Sequence, residues 1–126
     1  MKEYVTTLES LLELDEEFRR VLSTGAHSQI VAMTLQAGEE IGDEVHDDAD
    51  QIFIIMAGWP VQVAIGDYTR TVPAGTVVLV PQGVRHNIMN AGAVPVRLLT
   101  IYAPPQHEPG FVALTKADAA AEEPRR

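Results

Sequence analysis

Apolar residues fall in short runs along most of this chain, and their period changes once. Near the start, Thr6 to Leu14 (TTLESLLEL) carries Leu8, Leu11, Leu12 and Leu14 at helical spacing, with Thr6 or Thr7 available as N-cap. This predicts a short amphipathic helix that covers one end of a core or a partner. Phe18 to Thr24 alternates loosely, with Phe18, Arg20 and Leu22 on one face, and Gly25-Ala26 turns the chain into the strand-like run Gln29 to Leu35. After Gly38 the runs Gln51 to Met56, Val61 to Ile65, Tyr68 to Val72, Val77 to Val80, His86 to Asn90 and Val96 to Ile101 all read as strands. Glycine- and proline-marked turns separate them. Many short strands at even spacing, with no helical pattern between them, predict an all-β barrel or sandwich. Tyr102-Ala-Pro-Pro ends the last strand, because proline cannot donate to a ladder. From His107 the chain is marked by Pro and Gly and then becomes rich in Ala and Glu, which predicts a frayed helix or a disordered tail. No repeat and no second domain is visible, so residues 1–126 read as one domain with a barrel core over about 18–103.

Composition narrows the function classes. With 126 residues the chain is long enough for one core without staples, and its lack of cysteine removes disulfides, thiolate ligands and cysteine nucleophiles. A formal net charge of −9 argues against binding a phosphate backbone, which needs clustered Lys and Arg, and no DNA-binding helix pair accompanies the strands. No apolar run reaches the roughly 18 residues of a membrane span, and no basic-then-apolar leader opens the chain, so the expected location is the cytoplasm.

The candidate chemistry lies between Gly38 and Asn90. Glu44 and His46 are two apart and share a face if extended. A hairpin through Asp47, Asp48 and Asp50 would return Gln51 beside His46. In the run after it, Gln51, Phe53 and Ile55 share one face; His86 shares a face with Ile88 and Asn90. If both faces point inward, four ligating groups converge. Two imidazoles, a carboxylate and an amide oxygen suit one divalent transition metal ion, whether iron, manganese, nickel, copper or zinc. The residues alone leave open the plainer alternative of a surface Glu44/His46 pair and a hydrogen-bonded His86. Met33, Phe53, Ile55, Ile88 and Leu98 would line the pocket, or simply fill the core. Asp47, Asp48 and Asp50 read as a solvated turn, His27 and His107 as surface residues, and Arg20 as a side chain that snorkels or pairs with a carboxylate. Tyr102 and Arg85 are further polar candidates near the mouth. Trp59 follows a turn glycine where a polar residue is expected, which marks it as a pocket rim, a dimer contact or an introduced change. Phe111 to Leu114 is more apolar than a tail needs, so it either folds back over a pocket or is engineered.

Two motifs carry a family resemblance. Gly38, Glu44, His46, Gln51 and Gly58 have the spacing of the first cupin motif, G-x5-H-x-H-x3-4-E-x6-G. Gly75, Pro81, Gly83, His86 and Asn90 match every defined position of the second, G-x5-P-x-G-x2-H-x3-N. The chain therefore resembles a small stand-alone cupin of the kind often labelled mannose-6-phosphate isomerase-like. The resemblance implies a double-stranded β-helix preceded here by the short helix. It also implies a metal held by Glu44, His46, Gln51 and His86, a small-molecule substrate and a homodimer. Two positions depart from the motif: Glu44 stands where the family usually has His, and Gln51 where it usually has Glu. The carboxylate has moved rather than vanished, which leaves a two-His, one-carboxylate set plus an amide. The implied function is a metal-dependent enzyme acting on a small oxygen-rich substrate by oxygenase or Lewis-acid lyase or isomerase chemistry. The alternatives are a non-catalytic binding module and a cupin scaffold engineered for new metal chemistry.

Overall fold

A computed structural model describing residues 2–122 folds the strand-like runs into nine strands in two antiparallel sheets. They are β1 (Arg19–Thr24), β2 (Gln29–Leu35), β3 (Asp50–Ala57), β4 (Val61–Ile65), β5 (Tyr68–Val72), β6 (Val77–Val80), β7 (His86–Asn90), β8 (Val96–Ala103) and β9 (Val112–Ala113). The larger sheet has the order β6-β3-β8-β2-β1-β9 and the smaller β5-β4-β7. Two such sheets fit the jelly-roll layout that the motif resemblance implies and the all-β architecture that the alternation predicts.

Register explains where the polar end of the core lies. Across the larger sheet, Met33, Leu98 and Ile55 form one inward row and Val31, Thr100, Phe53 and Val78 the next. The outermost row is Gln29, Tyr102, Gln51 and Val80. In the smaller sheet Val63 pairs with Ile88, and His86 lies two residues further toward the same end. All these side chains are buried, and each large apolar one contributes about 1.5–3 kcal/mol on leaving water. The apolar rows seal the middle of the core, and the Gln29–Tyr102–Gln51 row makes one end polar. At the other end β3 stops at Gly58, whose φ is +111° and where a Cβ would lie 2.7 Å from the Val96 Cγ2.

Helix α1 (Leu8–Leu12) is capped by Thr7, whose hydroxyl accepts from the Ser10 N–H, and it buries Leu11. Its open carbonyl end is held by Arg97, which donates to the carbonyls of Leu11, Leu12 and Leu14 at 3.4, 3.1 and 3.0 Å.

The expected phase of the first strand is corrected. In β1 the inward side chains are Arg19 and Val21, not Arg20 and Leu22. Phe18 is buried just before the strand, and a bulge between Val21 and Ser23 shifts the alternation beyond it. Arg20 pairs with a carboxylate, as expected, its Nε donating to Glu17 at 3.0 Å. After His107 the expected alternative of a disordered tail is not what residues 107–122 form, while the expected helix is present. Gln29 pins its start, donating to the His107 carbonyl at 2.7 Å and accepting from the Gln106 and His107 N–H groups. Phe111 then packs against the core, β9 pairs with β1, and helix α2 (Lys116–Ala120) starts in a capping box between Thr115 and Asp118. Residues 123–126 of the expected tail lie outside the described residues. Trp59 is exposed, and among the described residues no helix is long and apolar enough to cross a membrane.

Candidate metal centre

The segment before β3 is the least regular part of the chain, yet its backbone is fixed. The Ile41 N–H donates to the Ile88 carbonyl at 3.0 Å, and Glu44 and His86 exchange both backbone bonds at 2.9 Å. Glu44 therefore lies across from His86 in an antiparallel bridge rather than on a full strand. The His46 carbonyl accepts from the Gly83 N–H at 2.8 Å, which ties it to the turn before β7. That turn is held in its own right, because Asp50 and the Asp47 carbonyl both accept from Gln82. The turn acids face solvent and this backbone, as expected of a solvated hairpin.

Three donor atoms, one each from Glu44, His46 and His86, lie within 4.8 Å of one another. Glu44 Oε2 is 3.1 Å from His46 Nε2, and Gln51 Oε1 is 2.9 Å from His86 Nε2. Two donors bound side by side to one ion through bonds of about 2.1 Å sit about 3.0 Å apart, so both spacings suit a shared ion. The hydrogen-bond roles point the same way. His86 Nδ1 lies 3.0 Å from the Val84 carbonyl, which can only accept, so Nδ1 carries a hydrogen and a ring with no second proton would turn its Nε2 lone pair inward. Gln51 Nε2 donates to Thr100 Oγ1 at 3.0 Å, which aims the amide oxygen at that lone pair. Two acceptors facing each other at 2.9 Å need a proton or a cation between them. His86 and Gln51 thus each have an outer partner that orients them, as metal-binding side chains usually do.

Electrostatics keep the carboxylate charged. Burial pulls the Glu44 carboxyl up, but the His46 hydrogen bond and the nearby His46, Arg19 and His86 charges outweigh it and leave it below the usual range. Burial pushes the Tyr102 phenol well above its ordinary value, so it stays neutral. Its ring meets His46 and His107 edge-on, with centroids 5.5 and 4.9 Å away.

The cupin domain family Cupin_2 matches residues 31–102, more than half of the chain. The chain is a cupin. It is 38% identical over 128 residues to YrkC, an uncharacterized protein of Bacillus subtilis, covering 97% of this chain and 68% of that protein. The crystal structure of BH2720 from Bacillus halodurans superposes with a TM-score of 0.90 at 37% identity, covering 95% of both chains. A predicted oxalate decarboxylase from Thermotoga maritima has a TM-score of 0.58 at 22% identity over 61% of this chain and 66% of that one, and so shares the fold alone.

This cupin brings Glu44, His46, Gln51 and His86 to one end of its core. Met33, Phe53, Ile55, Ile88 and Leu98, expected to line the pocket, lie in the hydrophobic core below that end, with the Phe53 ring 5.9 Å from the His86 ring. The pocket that reaches Glu44 has about 190 Å³ and is lined by Phe18, Arg19, Ile41, Lys116, Ala119 and Ala120. Arg85 is not part of it; it is exposed and pairs with Asp43 at 2.6 Å. His27 is exposed, as expected, but His107 is a correction. It is largely buried beside Tyr102, and its Nδ1 lies 2.7 Å from Glu122.

Residue patterns alone missed Arg19, Thr100 and Glu122. Thr100 alternates with Leu98 and Tyr102 on β8 and was legible in principle. Arg19 needed the correct phase of β1, which centring the alternation on Val21 would have given. Glu122 carried no local signal, because only the path of the strap brings it back to the mouth.

Proposed function

We propose that this cupin is a metal-dependent enzyme in which Glu44, His46, Gln51 and His86 hold one divalent transition ion that engages a small oxygen-rich substrate. The observation that carries the reading is the approach of Gln51 Oε1 to His86 Nε2 at 2.9 Å beside the Glu44–His46 pair. The chemistry such an ion supplies is Lewis-acid polarisation of a substrate oxygen, with one-electron chemistry toward dioxygen where the ion is redox-active.

The chain's own residues define the rest of the site. Glu44, the single anionic ligand, offsets part of the ion's charge. Val84 and Thr100 fix the orientation of His86 and Gln51, so these donors need not reorganise when the site loads. Tyr102 stays a neutral phenol and serves as a hydrogen-bond donor rather than a base. Helix α2 and Phe18 form part of the wall of the pocket that reaches Glu44.

Elemental analysis of purified protein, with metal titration of the His46→Ala, His86→Ala double variant, tests the assignment. About one equivalent of a divalent transition metal is expected in the wild type and none in the double variant, because imidazole nitrogen supplies most of the affinity for such ions. Undiminished affinity in the double variant would sink the site. Dioxygen consumption over a panel of β-dicarbonyls, catechols and hydroxy and keto acids then separates oxygenase from redox-neutral chemistry.

A further inference from the structure

Resting on that metal reading, we propose that Arg19 is the carboxylate-recognition residue of the site, so that the substrate is a small 2-hydroxy or 2-oxo acid. Its carboxylate would pair with the guanidinium, leaving a second oxygen for the ion.

Arg19 is a buried cation with unused donors. The residue is 6% exposed, and its Nε has no hydrogen-bond partner among the described residues. Its ion pair with Glu122 is 3.8 Å long, beyond hydrogen-bond reach. Glu122 is committed elsewhere, with Oε1 at 2.7 Å from His107 Nδ1 and Oε2 accepting from the Glu108 N–H at 3.1 Å. A guanidinium carries five N–H donors in a planar fork that matches a carboxylate, and burying it with donors unpaired is costly. Phe18, with its ring centroid 5.4 Å from the guanidinium carbon, covers one side and offers no acceptor.

Arg19 and Glu44 line the same pocket, a space of about 190 Å³. That volume lies below the roughly 300–1,000 Å³ typical of drug-sized ligands, so the occupant is a small molecule. Charge decides its sign. Arg19 and Lys116 balance Glu44 and Glu122, leaving the pocket neutral, and a divalent ion on Glu44, His46 and His86 would add two positive charges. The loaded site therefore attracts an anion that the metal-free site does not. A catechol or neutral β-dicarbonyl could reach the ion but would leave the Arg19 fork unpaired. A 2-hydroxy or 2-oxo acid satisfies both.

The test uses full-length protein loaded with Mn(II), titrated by calorimetry with glycolate and with its uncharged isostere glycolamide. Mn(II) binding is measured separately for every variant by water-proton relaxation. Wild type should prefer glycolate by at least about tenfold, the size expected of a charge-assisted bidentate pair. Arg19→Met should keep its Mn(II) affinity and lose that preference. Arg19→Lys, which keeps the charge without the fork, should lose part of it. Glu122→Gln, which removes a competing negative charge beside Arg19, should tighten glycolate binding severalfold. Wild-type glycolate affinity in Arg19→Met, or in Arg19→Lys should the Met variant fail to fold, would overturn the role of Arg19 and leave the metal reading standing. Equal affinity for glycolate and glycolamide in the wild type would do the same. If wild type binds no Mn(II), the metal reading fails and this inference falls with it.

Discussion

Replacing Thr100 by Val removes one hydroxyl and almost no volume, so it probes what that hydroxyl holds. Gln51 Nε2 donates to it at 3.0 Å, and the two residues are 1% and 0% exposed, so bulk water cannot replace the lost acceptor. A buried donor left without a partner costs about 1–3 kcal/mol. Unfolding entropy near 2.1 cal/mol/K per residue gives about 0.26 kcal/mol/K for this chain, so the metal-free Tm should fall by about 4–11 °C. The released amide can also turn its oxygen away from His86, and loss of an outer-shell partner typically costs about 10–100-fold in metal affinity. Differential scanning calorimetry of chelator-treated protein reads the first effect, and competitive metal titration reads the second. An unchanged Tm would refute the claim that this hydrogen bond is made and buried. A lowered Tm with undiminished metal affinity would remove Gln51 from the ligand set.

Glu44→Gln should weaken metal binding far more than Gln51→Ala, because Glu44 is the only anionic ligand and an amide oxygen is a weak neutral donor. Glu44→His should be milder than Glu44→Gln, and the reverse order in titrations at one pH would mean that a different subset holds the ion. Burial, together with the Arg19 charge, holds the His107 imidazole below its usual 6.5 despite Glu122. As pH falls through about 6.5 the unfolded chain therefore takes up a proton that the native state resists, and stability declines. His107→Gln should flatten that part of a denaturation-versus-pH curve, and an unaltered slope would contradict it. Val77, Leu79 and Tyr68 leave an exposed apolar strip along the β5 and β6 sheet edges, so light scattering should give twice the 13.7 kDa chain mass; the monomer mass at micromolar concentration would count against a dimer.

Fold and site differed in how much of them the sequence exposed. Strand β3 was legible because one buried face imposes a period of two, which Gln51-Phe53-Ile55 kept, while β2 and β8, buried on both faces, were legible as continuous apolar runs between turns. Asn90, the last position of the second motif, closes a turn: its side chain bonds the backbone of Leu35, Gly92 and Val94. Fixed spacing placed Glu44, His46 and Gln51 together even though the Glu44 segment is not a strand. The rest depended on contacts far apart in sequence. Arg97 acts on α1 from 86 residues away, and His107 is buried by a strap whose start is held by Gln29. Neither leaves a periodic mark. The alternation of β1 was misread because Phe18 is buried immediately before the inward Arg19 and Val21, so a phase centred on Phe18 turns Arg19 outward.

The position of β8 at the centre of the larger sheet has a consequence for biosynthesis. Its neighbours β2 and β3 both precede it in the chain, and neither pairs with the other. At about 5–20 residues per second, the chain from Leu35 to Ala103 takes about 3–14 s to emerge. Throughout that interval β2, and from Ala57 onward β3 as well, carries an unmatched strand edge rich in Ile, Val and Phe, the kind of template on which nascent chains cross-pair. Ribosome-bound fragments ending before Val96 should therefore recruit holdase chaperones, and extension past Ala103 should release them.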